Sequence, residues 1–192
     1  MRIGVLALQG AFAEHIVVLR NLEIDNTPVR LPNELMGLDG LIIPGGESTT
    51  INRLMLSYGL RSKISNLAEN GFPILGTCAG MILLAREVSD TAEQPLGLIA
   101  IKVRRNAFGR QRESFETALS IPVLGEKPFP GVFIRAPLIE QVNSNVEILA
   151  SLDDGATVAT RQGKLIACAF HPELTDDLRF HEYFLSIVAG EQ

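Results

Sequence analysis

The chain has 192 residues, 46% of them hydrophobic, and a formal net charge of −5. That length suits one domain with small insertions, able to bury a sizeable core without disulfides or metals. The acidic balance and the lack of a sustained basic stretch argue against nucleic acid as a partner, and no apolar run approaches the ~18 residues of a membrane span.

"RIGVLAL" (2–8) reads as a buried strand and not as a signal peptide, because the apolar stretch stops at Gln9 and Gly10. A helix is expected from about residue 12 to 23, then a short strand "TPVRL" and a buried strand "LDGLIIP" (38–44) ending at Pro44. Residues 49 to about 70 read as helical with a break near Gly59, "FPILGT" as the next strand, and "AGMILLAREV" as a helix. Near-continuous apolar strands separated by helices predict a mostly parallel sheet with helices on both faces. After Gly97 the texture changes to turn-linked strands, "LGLIAIKVRR", "ETALSIPV", "GVFIRAP", "VEILASL", "TVATRQG" and "KLIACAF", before a last helix over 175–189. With no repeat or linker, residues 1–192 are expected to form one α/β domain with an antiparallel extension in its second half. Two isolated cysteines, Cys78 and Cys168, and no export signal point to the cytoplasm. No C-x-x-C pair or His/Cys cluster suggests a metal.

In a parallel α/β sheet, sites form beyond the carboxyl ends of the strands. Gln9-Gly10, Pro44-Gly45-Gly46 and Thr77-Cys78 all follow predicted strands, so they should share one sheet edge. Gly76-Thr77-Cys78-Ala79-Gly80 has the G-x-nucleophile-x-G pattern of a sharp strand-to-helix elbow, with Cys in place of Ser. At a helix N-terminus, free N–H groups favour thiolate. A thiol of pKa ~8.5 is only a few per cent ionised at neutral pH. Taken alone, the pentapeptide fits a small buried cysteine about as well as a nucleophile. Cys168, mid-strand in "LIACAF", reads as packing.

A catalytic thiol needs a base, and there are three histidines. His15 and His181 fall within predicted helices and read as structural or solvated. His171 ends an apolar run and precedes Pro172, which holds it in extended backbone. Glu173, two residues on, would point the same way in extended geometry and could orient the ring. Nucleophile, base and orienter are then Cys78, His171 and Glu173.

Gly-x-Cys-x-Gly followed by His-Pro-Glu resembles the class I, triad-type glutamine amidotransferases. "LQGAF", "PGGESTT", "GTCAGM", "RNAFGRQ", "FIRAP" and "FHPELT" are similar, in order, to the branch that forms glutaminase subunits of pyridoxal 5′-phosphate synthases. The resemblance implies a flavodoxin-like glutaminase domain with the triad above. It also implies an L-glutamine site containing Gly46, Glu47, Ser48, Arg105, Ile134 and Arg135. The residue types agree with that: an Arg can bind the substrate carboxylate bidentately, and Glu47 could face the ammonium. Backbone N–H groups around Gly45, Gly46 and Ala79 are candidates for an oxyanion hole.

The resemblance further implies hydrolysis of glutamine to glutamate and ammonia without a cofactor. The ammonia would pass to a (β/α)₈-barrel synthase subunit in a hetero-oligomer, since the chain ends soon after its last helix. Two other readings stay open at this level. A DJ-1-like cysteine hydrolase or stress protein would share the elbow but lack "PGGEST". A non-catalytic assembly subunit would lack a triad member.

Overall fold

A computed structural model describes residues 1–89, 94–105 and 114–191. Five strands form its parallel half: β1 (Arg2–Leu6), β2 (Asp25–Val29), β3 (Gly40–Ile43), β4 (Ile74–Thr77) and the last strand, β12 (Leu165–Cys168). They lie in the order β2-β1-β3-β4-β12, and each neighbouring pair is parallel. This is the 2-1-3-4-5 order of flavodoxin-like folds. β3, β4 and β12 are buried at every residue, as strands covered on both faces must be. Pro28 is tolerated in β2 because that strand is an edge and needs no ladder on its outer side.

The helices α1 (Phe12–Asn21), α2 (Ser48–Ser57), α3 (Leu60–Glu69) and α5 (Arg179–Ala189) surround this sheet, and a short α4 (Ala79–Leu84) follows β4. Gly59 separates α2 from α3 at φ 70°, a left-handed conformation that costs glycine little.

Beyond β12 the sheet turns antiparallel, except at its far edge, where the last two strands run parallel. β11 (Thr157–Gln162) pairs with β12, then come β9 (Leu138–Val142), β6 (Ile99–Arg104) and β5 (Ala85–Val88), while β10 (Glu147–Ser151) also pairs with β11. β7 (Ser114–Leu119) and β8 (Phe129–Ile134) form a separate antiparallel pair. The expected division into a parallel first half and an antiparallel extension is what the strands form.

Three expectations need correction. The helix predicted over "AGMILLAREV" stops at Leu84, and Ala85–Val88 become β5, paired parallel with β6. The carbonyls of Leu83, Leu84 and Ala85 accept the N–H groups of Leu96, Leu98 and Gly97, so a returning segment ends the helix against its local propensity. "LIEQV" is a strand that no pattern announced, since only Ile139 in it is buried. The last helix starts at Arg179, not 175, after a 3₁₀ turn over Pro172–Leu174. In "RNAFGRQ", Arg105 is described, and the residues from 106 onwards lie outside the described ones.

Candidate active site

The ends of β1, β3, β4 and β12 meet at one edge, where the strand order reverses about β1. They enclose a pocket of about 320 Å³. Gln9, Gly10 and Ala11 line it from the β1 side, and Gly45, Gly46, Glu47 and Ser48 from β3. Cys78 and Ile82 come from the elbow, His171 from beyond β12, and Arg105, Ile134 and Arg135 from the extension. Residues from six separated stretches of sequence thus share one cavity.

Cys78 stands at φ 49°, ψ −102°, a conformation an L-residue adopts only under constraint. The constraint is visible on both sides. Its N–H donates to the Cys168 carbonyl at 2.8 Å, extending the β4–β12 ladder by one residue. The glycines flanking it permit the bend. A Cβ at Gly76 would lie 2.7 Å from the Gly80 backbone, and one at Gly80 would lie 2.0 Å from the Ile43 carbonyl oxygen. α4 begins immediately after the cysteine but is only six residues long.

His171 donates its backbone N–H to the Val132 carbonyl at 2.8 Å, which ties it to β8. Its ring lines the pocket beside Cys78, and Nδ1 lies 2.7 Å from Glu173 Oε1. Burial disfavours the charged ring, but the hydrogen bonds and charges of Cys78 and Glu173 outweigh it and push His171 up to about 10. Such a ring holds a proton at neutral pH, the counter-charge that a thiolate requires. The His171–Glu173 contact was expected from extended backbone. It is formed instead by the 3₁₀ turn, with His171 held outside helical space at φ −107°, ψ 86°.

Glu173 is buried. Burial works against its charge, yet His15 and His171 beside it hold its carboxyl below the usual range. His15 and His181, read from sequence as structural or solvated, lie in the same buried cluster. His15 Nε2 is 3.4 Å from Glu173 Oε2, and His15 Nδ1 is 2.9 Å from His181 Nε2. Helical position alone carried no signal for this contact. Cys168 is fully buried with Sγ 3.4 Å from the Phe170 carbonyl, and burial pushes its thiol well above the ordinary value.

The loop after β3 is laced to the turn after β1. Ala11 N–H donates to the Gly45 carbonyl at 2.9 Å, and Glu47 N–H donates to Gln9 Oε1 at 2.7 Å. Neither Gly45 nor Gly46 has a positive φ. Space explains them: a Cβ at Gly45 would sit 2.5 Å from the His171 ring, and one at Gly46 would sit 2.6 Å from Gln9 Oε1. Glu47 lines the pocket, but its carboxylate caps α2, accepting from Thr50 N–H at 2.7 Å and Thr49 N–H at 3.2 Å. Arg105 lies beside it, 3.2 Å from Thr49 Oγ1. Arg135 holds a left-handed backbone at φ 43°, and the neighbouring Ile134 carbonyl is 4.0 Å from Cys78 Sγ. The Ala79 side chain is buried and does not line the cavity, which leaves only its backbone as a candidate contact.

A flavodoxin-ordered sheet with a cysteine elbow facing a histidine–carboxylate pair defines a protein of the glutamine amidotransferase class. The comparisons are specific within that class. Residues 5–189 match the SNO glutamine amidotransferase family. The chain is 58% identical over 190 residues to a pyridoxal 5′-phosphate synthase subunit PdxT of Herpetosiphon aurantiacus, covering 97% of this chain and 100% of that one. It is 56% identical over 188 residues to the PdxT subunit of Moorella thermoacetica, covering 98% and 100%. A solved glutamine amidotransferase superposes with a TM-score of 0.92 at 49% identity, covering 97% of this chain and 98% of that one. The chain belongs to the SNO glutamine amidotransferase family.

Proposed function

We propose that this chain is the glutaminase subunit of a pyridoxal 5′-phosphate synthase, a single domain that releases ammonia from L-glutamine for a partner synthase subunit of (β/α)₈-barrel form. Family membership and relatives above half identity along their full length support the activity. The observation that carries the mechanism is the strained Cys78 beside a buried, proton-holding His171. Cys78 thiolate attacks the side-chain amide carbon of glutamine. The resulting oxyanion accepts hydrogen bonds from backbone N–H groups. His171 gives its proton to the departing ammonia, leaving a γ-glutamyl thioester, and then takes a proton from the water that releases glutamate. Glu173 keeps the ring in register.

Gly46 and Ala79 are the candidate oxyanion donors, with Gly45 providing clearance. The Gly45 carbonyl is held by Ala11, and the Gly45–Gly46 peptide is trans, so the Gly46 N–H points away from Ala11. Arg105 and Arg135 flank the pocket with positive charge suited to the substrate carboxylate. Ser48, Glu47 and Ile134 complete the wall, with Glu47 acting through the loop it caps and through its negative charge. A complete triad and an Arg-flanked pocket favour this reading over an assembly subunit or a general cysteine hydrolase.

The test is glutamate release measured with the synthase subunit present, together with labelling by a glutamine-analogue electrophile. Cys78→Ala abolishes both, whereas Cys168→Ser keeps most of the activity. A label on Cys168 would overturn the assignment.

A further inference from the structure

The chain has three histidines, and all three are buried in one connected cluster. His171 belongs to the proposed triad. The other two, from α1 and α5, have no part in the mechanism above. Glu173 has two carboxylate oxygens, and each faces a different histidine. Oε1 lies 2.7 Å from His171 Nδ1, and Oε2 lies 3.4 Å from His15 Nε2. Oε2 has no hydrogen-bond partner among the described residues, so its polar neighbour there is the His15 ring at 3.4 Å. His15 Nε2 is also 3.2 Å from Thr77 Oγ1, on the residue just before the nucleophile.

The proton positions follow by elimination. One proton lies between His15 Nδ1 and His181 Nε2, 2.9 Å apart. If His15 supplied it, His15 Nε2 would turn a bare lone pair toward the carboxylate. His181 Nδ1, which has no hydrogen-bond partner among the described residues, would then be a buried unpaired N–H. Both are costly. If His181 supplies it, His15 Nε2–H is hydrogen-bonded to Thr77 Oγ1 at 3.2 Å with Glu173 Oε2 beside it at 3.4 Å, and His181 Nδ1 is left as a bare acceptor. Every ring N–H is then used. Burial lowers the pKa of both rings, so His15 donates without adding a charge that would compete with His171 for the carboxylate. The cluster is not a metal cradle, because no group of His, Cys, Asp and Glu among the described residues is arranged to hold an ion.

We propose that His15 is a positioning residue that grips Glu173 Oε2 from behind, so that Oε1 stays on His171 Nδ1, and that His181 sets the His15 tautomer. The inference rests on the Cys78–His171–Glu173 reading. α1 thereby touches both halves of the site: Ala11 holds the loop after β3, and His15, four residues on, holds the orienter.

The groups whose charge acts on this grip are Glu14 on α1, His181 on α5, His171, and the Cys78 and Cys168 thiols at the ends of β4 and β12. Without the Nε2–H donor, the Glu173 carboxylate is less stabilised and takes up a proton at higher pH. Protonated, it orients His171 less well. The test measures glutamine hydrolysis by the complex with the synthase subunit. His15→Leu should lower kcat by about tenfold to a hundredfold, the scale of one hydrogen bond to a charged group. KM for glutamine should change little, and the acid limb of kcat/KM should move to higher pH. His15→Gln, whose amide nitrogen reaches near the Nε2 position, should restore much of the rate and the original limb.

Ring-nitrogen NMR of the unsubstituted chain gives a second readout that needs no variant to fold, and it should find His15 neutral with its proton on Nε2. A proton on Nδ1, or a His15→Leu enzyme with unchanged kcat and acid limb, would overturn the inference. Cys78→Ala separates the two readings. If it is inactive while His15→Leu behaves as wild type, only the role of His15 fails. If Cys78→Ala keeps its activity, the triad itself fails.

Discussion

Cys78 is held at positive φ by one hydrogen bond to β12, with Gly76 and Gly80 two residues away on either side leaving room for the bend, and its thiol lines the pocket at the sheet edge. Its chemistry depends on His171, whose proton is retained by Cys78 and the Glu173 carboxylate despite burial. Arg105 and Arg135 bring positive charge to the pocket lining. These would contact the amino-acid end of glutamine, which changes little between ground and transition states. Arg105→Ala and Arg135→Ala are therefore expected to raise the glutamine KM several-fold or more while changing kcat less. Steady-state kinetics with the synthase subunit checks this, and an unchanged KM alongside weakened subunit binding would reassign the arginines to the interface. Glu47 shows how a residue's type and its use can part: its carboxylate is engaged with Thr49 and Thr50 at the start of α2.

At the scale of elements, the site depends on how closely backbones approach. The elbow packs on β3 with room for a hydrogen and no more, since a Cβ at Gly80 would be 2.0 Å from the Ile43 carbonyl oxygen. Neither the carbonyl nor the elbow can yield without breaking the β3–β4 register. Gly80→Ala should thus destabilise the fold by roughly 1–3 kcal/mol or more, as overpacking does. Gly37→Ala, at φ +72° with nothing within 4 Å, should cost only the backbone strain of about 1–2 kcal/mol. Denaturant unfolding of both variants checks the difference, and equal losses would mean that the β3–elbow contact is soft. The switch from α4 to β5 belongs to this scale as well. "LLARE" consists of good helix formers, and pairing with β6 still takes Ala85–Val88 into the sheet.

At the scale of the whole molecule, the buried histidines make stability depend on pH in opposite directions. His171 is raised to about 10 on folding, so its contribution is complete below the ordinary value of 6.5 and is lost as pH climbs toward 10. His181 is lowered to about 3 and His15 is lowered too, so both resist folding once the unfolded chain begins to bind protons below 6.5. The lowered Glu173 adds to the loss on the acid side. Unfolding free energy should accordingly peak near neutral pH and fall on both flanks. His181→Leu should flatten the acid arm between pH 6.5 and 4, reducing proton uptake on unfolding by up to one. Urea titrations across pH measure this directly, and an acid arm unchanged in that variant would show that His181 is protonated in the folded state. Among the described residues, no helix is long and apolar enough to cross a membrane.

Local chemistry in the sequence was enough to locate the parallel strands, the elbow and the pre-proline histidine. Runs such as "LIIP" and "FPILGT" bury both faces wherever they pair, glycines around a cysteine permit only a sharp turn, and proline restricts the residue before it. Since strand ends in such a sheet share an edge, the lining by Gln9, Gly45, Cys78 and His171 was legible as well. Tertiary structure alone decided the rest. "LIEQV" became a strand because β6 and β11 needed a neighbour, with only one buried side chain to mark it. Glu173 met His171 through a 3₁₀ turn rather than an extended run. Most of all, His15 and His181, 166 residues apart, came together behind Glu173. Each sits in a helix whose pattern says only which side faces inward, and what lies on that side is set by segments far away in the chain.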